Sequence, residues 1–180
     1  IMIIMINGAF GVGKTTVSLE LLKLIENSIL YDPEEIGFML RNILPSEIQR
    51  KEANTGDFQD FDLWKEVTVR LALALITKYK KNLIVPMTIR NFEYFQYILE
   101  GFKEIDEQTY HFCLLAGKTT IFDRLRVRGE AENNWCFQQT EKCIQAYQEH
   151  NFAEYIHMEN KPIGTVVKEI LDILRRSGEK

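Results

Sequence analysis

The chain has 180 residues, of which 46% are hydrophobic and 27% are charged, and its formal net charge is -4. This length provides the core of one domain but not of two ordinary ones, and the composition is that of a globular protein. The acidic balance, without any block of basic residues, argues against nucleic acid as a main partner. We therefore predict a single domain over residues 1–180.

The sequence indicates neither a membrane span nor a secretory signal. No window approaches the roughly 18 apolar residues that a spanning helix needs, and the apolar start of the chain has no basic flank. The cysteines are odd in number and form no C-x-x-C pair, which favours reduced thiols over a disulfide framework or a zinc site. We predict a cytoplasmic protein with three free thiols, at Cys113, Cys136 and Cys143.

Short apolar runs of strand length alternate along the chain with segments of helical periodicity. The strand-like runs are 1–6, 28–32, 83–87, 110–116 and 154–158. Apolar residues recur at helical spacing in 17–25, 64–75, 95–102 and 166–174. This alternation is typical of a parallel sheet covered on both faces. We predict an α/β three-layer sandwich with about five strands, ending in a polar tail at 178–180.

The first apolar run leads directly into NGAFGVGKTT, which fits the pattern G-x-x-x-x-G-K-[ST]. Glycines let the backbone turn sharply and approach an anion closely, and the N–H groups of such a loop and of the following helix bind phosphate oxygens. The pattern predicts a nucleoside triphosphate, with Lys14 on its β- and γ-phosphates and Thr15 on Mg²⁺. The expected contacts are Gly8, Ala9, Phe10, Gly11, Val12, Gly13, Lys14, Thr15 and Thr16.

The base of that nucleotide is expected to be adenine. Proteins of this class that are specific for GTP usually read guanine with N-K-x-D. In this chain the segment NKPI, residues 160–163, has Ile163 in place of the acidic residue. ATP is therefore the favoured nucleotide, with Mg²⁺ as its partner ion.

One apolar run, SILYD, ends in a carboxylate, Asp32. An acidic residue at the end of a strand next to the phosphate loop is suited to a catalytic or Mg²⁺-linked role. The sequence DPEE also predicts a helix start, with Asp32 as N-cap, Pro33 in the first turn and Glu35 completing a capping box. The two interpretations are compatible, because a cap beside the phosphate loop still faces the site.

Two polar, weakly periodic segments interrupt the alternation, at 45–61 and 129–135. Such segments are often lids or binding loops, and the alternative is plain surface insertion.

Four arginines are candidates for binding phosphate or a second substrate. Arg124 and Arg128 share a helix face just before the second polar segment, and their mutual repulsion suggests an anion between them. The alternative is a solvated face, with Asp123 or Glu130 as partners. Arg41 and Arg90 follow a predicted helix and a predicted strand, at places where a second substrate would lie.

The segments GAFGVGKTT, GFMLR, PMTIR and RLRVRGE resemble elements of P-loop kinases of the nucleoside monophosphate kinase kind. Phe38 and Pro86 stand where those kinases usually carry aspartate. INGAFGVGKT, YDPEEIGFMLR, LIVPMTI and NNW resemble, in the same order, the tunicamycin resistance protein family. The resemblance implies a lid near 124–137 and a substrate-side segment near 33–65. It also implies a link to tunicamycin, a uridine-containing antibiotic. Longer members have a membrane-touching C-terminal extension, which this short C-terminus does not support here.

Two functions follow as hypotheses. In the first, the protein is an ATP-dependent kinase acting on a nucleoside-like acceptor or antibiotic. Lys14, Asp32, Arg124 and Arg128 would then serve catalysis, and Asp32, Arg41 and Arg90 would bind the acceptor. In the second, ATP orders a pocket that sequesters a ligand without phosphoryl transfer. A nucleotide-switched interaction protein is a third, weaker interpretation.

Overall fold

A computed structural model describes residues 1–178, which form five strands and the helices around them. The strands are β1 (Ile3–Gly8), β2 (Ser28–Leu30), β3 (Asn82–Met87), β4 (Thr109–Leu115) and β5 (Tyr155–His157). The helices are α1 (Lys14–Leu24), α2 (Glu34–Ile43), α3 (Ser46–Glu52), α4 (Asp62–Tyr79), α5 (Phe92–Ile105), α6 (Lys118–Val127), α7 (Trp135–Glu149) and α8 (Ile163–Gly178). A short 3₁₀ turn covers Phe58–Asp60.

The sheet is parallel throughout, in the order β2-β3-β1-β4-β5. Strand β1 is central and buried along its whole length, which explains why its sequence is a continuous apolar run rather than an alternating one. Helices α1 and α8 pack together on one face, and α4 packs against α5 on the other. Right-handed connections produce this division, since the chain moves one way from β1 to β2 and the opposite way afterwards. The predicted α/β sandwich is confirmed.

The structure corrects the prediction for the first polar segment. Residues 45–61 are not an irregular loop, because they contain α3 and the 3₁₀ turn. Helix α3 has no buried residue, so it carries no apolar periodicity from which a helix could be recognised. Gln49 holds it to the preceding helix by donating to the carbonyls of Arg41 and Leu44, at 2.9 and 2.8 Å.

The structure also corrects the prediction for the C-terminal end. Gly178, expected in a polar tail, is the last residue of α8. The rest of that predicted tail, residues 179 and 180, lies outside the described residues. In the described part of the chain, no helix combines the length and apolar character that crossing a membrane requires.

Candidate nucleotide and second-substrate site

The loop between β1 and α1 has the backbone shape of a phosphate cradle. Gly8 and Gly13 adopt φ values of 154° and 116°, which side-chain-bearing residues rarely reach. A Cβ atom on Gly8 would lie 2.8 Å from Val12 Cγ1 and 2.9 Å from the Leu114 carbonyl oxygen. Helix α1 begins at Lys14, so its free N–H groups and the positive end of its dipole point into this loop. This geometry fits a chain of phosphates.

Lys14 lies inside this loop without an anionic partner. Its Nζ donates to the Ala9 carbonyl oxygen at 2.9 Å, and no ion pair within 4.0 Å includes Lys14 in residues 1–178. Burial lowers its pKa to about 8, against an opposing effect of Glu34. Thr15 and Thr16 follow on the exposed first turn of α1. A buried ammonium beside exposed hydroxyls suits a magnesium-bound triphosphate.

The C-terminal part of α6 approaches the loop from one side. Arg124 Nη1 donates to the Val12 carbonyl oxygen at 2.8 Å, and Arg128 is close enough to depress the pKa of Lys14. The alternative partner Asp123 instead pairs with Arg126 at 2.7 Å. The helix therefore brings both predicted arginines to the phosphate loop rather than to a surface network.

An open cleft of about 460 Å³, which we call the α6 cleft, lies between the loop, the end of α6 and the start of α8. It includes Ile163, the residue that replaces the guanine-reading carboxylate, and Val127, an apolar side chain that is 89% exposed. The other residues that line it are Gly11, Gly13, Thr16, Asp123, Arg124 and Arg128. Its apolar rim suits a flat base.

A second space, the aromatic cavity, has a volume of about 160 Å³ and borders the same loop at Phe10. It contains four aromatic rings, two carboxylates, two guanidinium groups and several uncharged polar side chains. They belong to Phe10, Glu34, Phe38, Arg41, Asp57, Phe58, Gln59, Thr88, Arg90, Trp135, Gln139 and Cys143. Apolar walls with a few convergent polar groups are typical of a small-molecule site.

The structure places both Arg41 and Arg90 at the aromatic cavity, and their role in binding a second substrate stays a prediction. Asp32 is not among the residues that line it. Its Oδ1 accepts from the Glu34 N–H at 2.9 Å, so it caps α2, while its influence on the pKa of Lys14 shows that it lies near the loop. Glu35 is exposed, and no bond from its side chain to Asp32 occurs in residues 1–178, so the expected capping box does not form.

Glu34, and not Asp32, is the acidic residue of this segment that lines the cavity. Burial raises its pKa above the ordinary value for a glutamate, with Asp32 adding to the effect and Lys14 opposing it. Its position could have been found from helix spacing, because Glu34, Phe38 and Arg41 lie on one face of α2 at i, i+4 and i+7. Asp57 and Gln139 gave no such signal, since they come from a distant loop and from α7.

The charges of the cavity have no ion-pair partners. Burial raises the pKa of Asp57 too, although Arg90 and Arg41 partly offset the effect. The ion pairs within residues 1–178 do not include Glu34, Arg41, Asp57 or Arg90. Half-buried carboxylates with raised pKa values, such as Glu34 and Asp57, concentrate at functional sites.

Uncharged groups fix the frame around these charges. Gln139 Oε1 accepts from Arg90 Nε at 3.2 Å, and Gln59 Nε2 donates to the Thr88 carbonyl oxygen at 2.7 Å. Asn7 joins three elements, since its Oδ1 accepts from the Gly8 and Ile89 N–H groups at 2.8 Å and from the Tyr147 hydroxyl at 3.2 Å. The ends of β1 and β3 are thereby locked to α7.

Comparisons with known proteins identify solved structures of similar fold. No protein-family model and no curated protein sequence matches the chain. Among solved structures, the tunicamycin resistance protein of Deinococcus radiodurans has a TM-score of 0.77 and 26% identity over 96% of this chain and 95% of its own. A gluconokinase from Sinorhizobium meliloti has a TM-score of 0.69 at 13% identity over 99% and 94%. Shikimate kinase from Acinetobacter baumannii has a TM-score of 0.61 at 16% identity over 100% and 96%.

The two metabolic kinases establish the fold alone, because their identities are low. The similarity to the Deinococcus protein extends over nearly the whole of both chains. The chain therefore has the P-loop kinase fold, and its predicted resemblance to the tunicamycin resistance proteins is confirmed.

Proposed function

We propose that the protein transfers the γ-phosphoryl group of Mg-ATP to a hydroxyl group of a small, nucleoside-like acceptor. The observation that carries the proposal is the position of Lys14. It lies in a phosphate-type loop with the α6 cleft on one side and the aromatic cavity, with its unpaired charges, on the other. A donor and an acceptor bound in these two spaces would meet at the loop.

The residues of the loop would bind and orient the donor. Backbone N–H groups of residues 8–16 and the Lys14 ammonium would hold the phosphates, and the base would lie in the α6 cleft between Val127 and Ile163. Mg²⁺, held by the Thr15 hydroxyl with Asp32 nearby, would neutralise charge on the phosphate oxygens. Arg124 and Arg128, supplied by the lid proposed near 124–137, would stabilise the charge of the group in transfer.

The acceptor would be held by the substrate-side segment proposed near 33–65 together with the end of β3. Arg41 and Arg90 would bind its polar groups, and the aromatic rings would contact its flat parts. Glu34 is suited to accept the proton of the attacking hydroxyl, because it lines the cavity. Among the neighbouring charges it also has the largest effect on the pKa of Lys14. Asp32 would act through the cap of α2 and through the magnesium ion.

A phosphorus NMR time course with Mg-ATP tests this proposal. Each reaction contains a hydroxyl compound from a panel of nucleosides, or tunicamycin, which the similarity to the Deinococcus protein makes a candidate. We expect a new phosphomonoester signal that grows with ADP, and no such signal with Lys14→Ala, which should lose ATP binding while remaining folded. Unchanged ATP across the whole panel, or a Lys14→Ala protein that binds ATP as the wild type does, would contradict it.

A second candidate function is sequestration of a ligand without transfer. It is favoured by the end of β3, where Pro86 and Thr88 replace an expected carboxylate, and by the four aromatic rings of the cavity. In that case tunicamycin would bind more tightly in the presence of a non-hydrolysable ATP analogue, and ATP would stay intact. Calorimetric titrations with and without the analogue distinguish this function, since affinity that does not respond to the analogue argues against it.

A further inference from the structure

Within the phosphate loop, Phe10 faces a different space from its neighbours. Gly11 and Gly13 line the α6 cleft, whereas Phe10 lines the aromatic cavity. The Nζ of Lys14, the group that we assign to the phosphates, lies 5.5 Å from the centroid of the Phe10 ring. The ring therefore stands beside the place where the terminal phosphate and the acceptor would meet.

Helix α7 holds Phe10 in this position. The rings of Phe10 and Trp135 meet edge to face, with centroids 5.3 Å apart and planes at 63°. The Thr140 hydroxyl donates to the Phe10 carbonyl oxygen at 3.4 Å. Trp135 is held as the first residue of α7 by the cap of that helix. The Asn134 side chain accepts hydrogen bonds from the N–H groups of Cys136 and Phe137. Trp135 is nevertheless 41% exposed, so a large apolar ring stands at the mouth of the cavity.

The chemistry proposed for the cavity requires that water be kept out. A carboxylate such as Glu34 that can take a proton from an acceptor hydroxyl can also take one from water. A water oxygen attacking the γ-phosphorus would break its bond to the β,γ-bridging oxygen and release ADP, phosphate and a proton. Closed active sites prevent such side reactions by excluding water.

We propose that Phe10 and Trp135 form an aromatic barrier that keeps water from the terminal phosphate of ATP until an acceptor fills the cavity. The inference rests on the proposed ATP site and assigns the pair a positioning role that favours the acceptor over water. The two rings suit this role because they offer no oxygen or carboxylate that could orient a water molecule toward the phosphate. Wild-type protein should then hydrolyse Mg-ATP slowly when no acceptor is present.

Mg-ATP alone is the probe, and release of ADP and phosphate is the measurement. Phe10→Ala and Trp135→Ala should each raise hydrolysis about tenfold, which corresponds to about 1.4 kcal/mol in the barrier. Phe10→Leu and Trp135→Phe keep apolar side chains and should raise hydrolysis less than the alanine variants do. Tyr97→Ala is the matched control, because Tyr97 is an aromatic residue of similar exposure, 43%, outside the cavity.

Two further readouts do not depend on turnover. Calorimetry with a non-hydrolysable ATP analogue should give affinities for the four barrier variants within about twofold of the wild type. Trp64 is buried, so acrylamide quenching of fluorescence mainly reports Trp135, and it should increase in Phe10→Ala because the contact of the two rings is lost.

The inference is wrong if both alanine variants bind the analogue normally but hydrolyse ATP no faster than the wild type. It is also wrong if the wild type, without acceptor, already hydrolyses ATP as fast as they do. Failure of the wild type to bind the analogue would have a different meaning, since it would overturn the proposed function and the barrier with it.

Discussion

At the scale of single residues, the site depends on which of three neighbouring acids faces the cavity. Asp32 is engaged as the cap of α2, Glu35 is exposed, and Glu34 lines the aromatic cavity. Asp32 precedes the helix, and Glu34 and Glu35 point in different directions because successive helical residues are rotated by about 100°. Neighbours with the same chemistry therefore have different environments, and burial raises the pKa of Glu34 and Asp32.

This difference gives a prediction for the proton acceptor. Glu34→Gln should lower the rate of phosphoryl transfer to the acceptor found by phosphorus NMR by about 10²–10⁴, the usual contribution of a general base. The affinity for ATP should change little, because Lys14 and the loop N–H groups remain. Steady-state kinetics with calorimetry for ATP provides the measurement.

Glu35→Gln is the matched control, since it makes the same chemical change one residue further along α2 at an exposed position. Asp32→Asn retains the cap, because asparagine is also a good N-cap residue. A large loss of transfer in Asp32→Asn with near-normal rates in Glu34→Gln would assign the proton acceptor to Asp32 instead.

At the scale of elements, helix α2 forms one wall of the cavity and depends on a close approach at Gly37. A Cβ atom there would lie 2.2 Å from Phe58 Cδ2. Phe58 lies between Phe38 and Trp64, with ring centroids 5.7 and 6.0 Å away, and the Arg41 guanidinium lies 5.1 Å from its ring centroid. The aromatic wall can therefore form only because residue 37 has no side chain, which lets the Phe58 ring pack directly against α2.

Gly37→Ala should displace Phe58 and distort the cavity. We expect a loss of about 1–3 kcal/mol in the free energy of unfolding, as for other overpacked cores. Acceptor binding should weaken while ATP binding is retained, because the phosphate loop is not in contact with Gly37. Urea unfolding and calorimetry are the measurements.

Gly164→Ala serves as the comparison, because this residue is also helical and nothing lies within 4 Å of its Cβ position. Gly164 lies in the first turn of α8, where alanine meets no clash and reduces the freedom of the unfolded chain, so this variant should be as stable as the wild type or more so. If Gly37→Ala behaved in the same way, the close packing of α2 against Phe58 would not be limiting.

At the scale of the whole molecule, a buried histidine in the sheet links folding stability to pH. His111 lies on β4 with its ring centroid 4.5 Å from that of Phe95, and its Nδ1 is 3.2 Å from the Ala153 carbonyl oxygen. Its Nε2 is buried and has no hydrogen-bond partner in the described structure. Burial lowers its pKa from 6.5 to about 4, because the charged form would be desolvated. The imidazole is therefore neutral in the folded protein at neutral pH.

The free energy of unfolding should fall as the pH falls through this window. Below about 6.5 the unfolded state binds a proton at His111 that the folded state does not bind until about pH 4. The loss approaches about 3 kcal/mol across the whole interval. His111→Gln should remove this dependence, and urea unfolding at about pH 7 and about pH 5 measures it.

The raised pKa values of Asp32, Glu34 and Asp57 act in the opposite sense, because their folded forms bind protons more readily. They are present in both proteins, so the difference between the wild type and His111→Gln isolates the histidine. His157→Gln is the control at an exposed histidine. An equal pH slope in the wild type and His111→Gln would contradict the assignment.

The sheet and the phosphate loop could be predicted from the amino-acid sequence, because both depend on short-range patterns. A strand buried on both faces must be apolar along its length, as β1 is, and a loop that wraps phosphates needs glycines at fixed spacing before a helix. The sequence also singles out Arg41 and Arg90, and both line the aromatic cavity, Arg41 from within α2 and Arg90 from just after β3.

Which side chains share the aromatic cavity depends on how the chain folds in three dimensions. Phe10, Asp57 and Gln139 are separated by long stretches of chain and meet because right-handed connections return the chain to the carboxyl ends of β1 and β3. Whether Glu34 or Glu35 lines the cavity likewise depends on the rotation of α2 against Phe58 and Trp64. That rotation is fixed by packing between distant segments, which no local pattern in the sequence records.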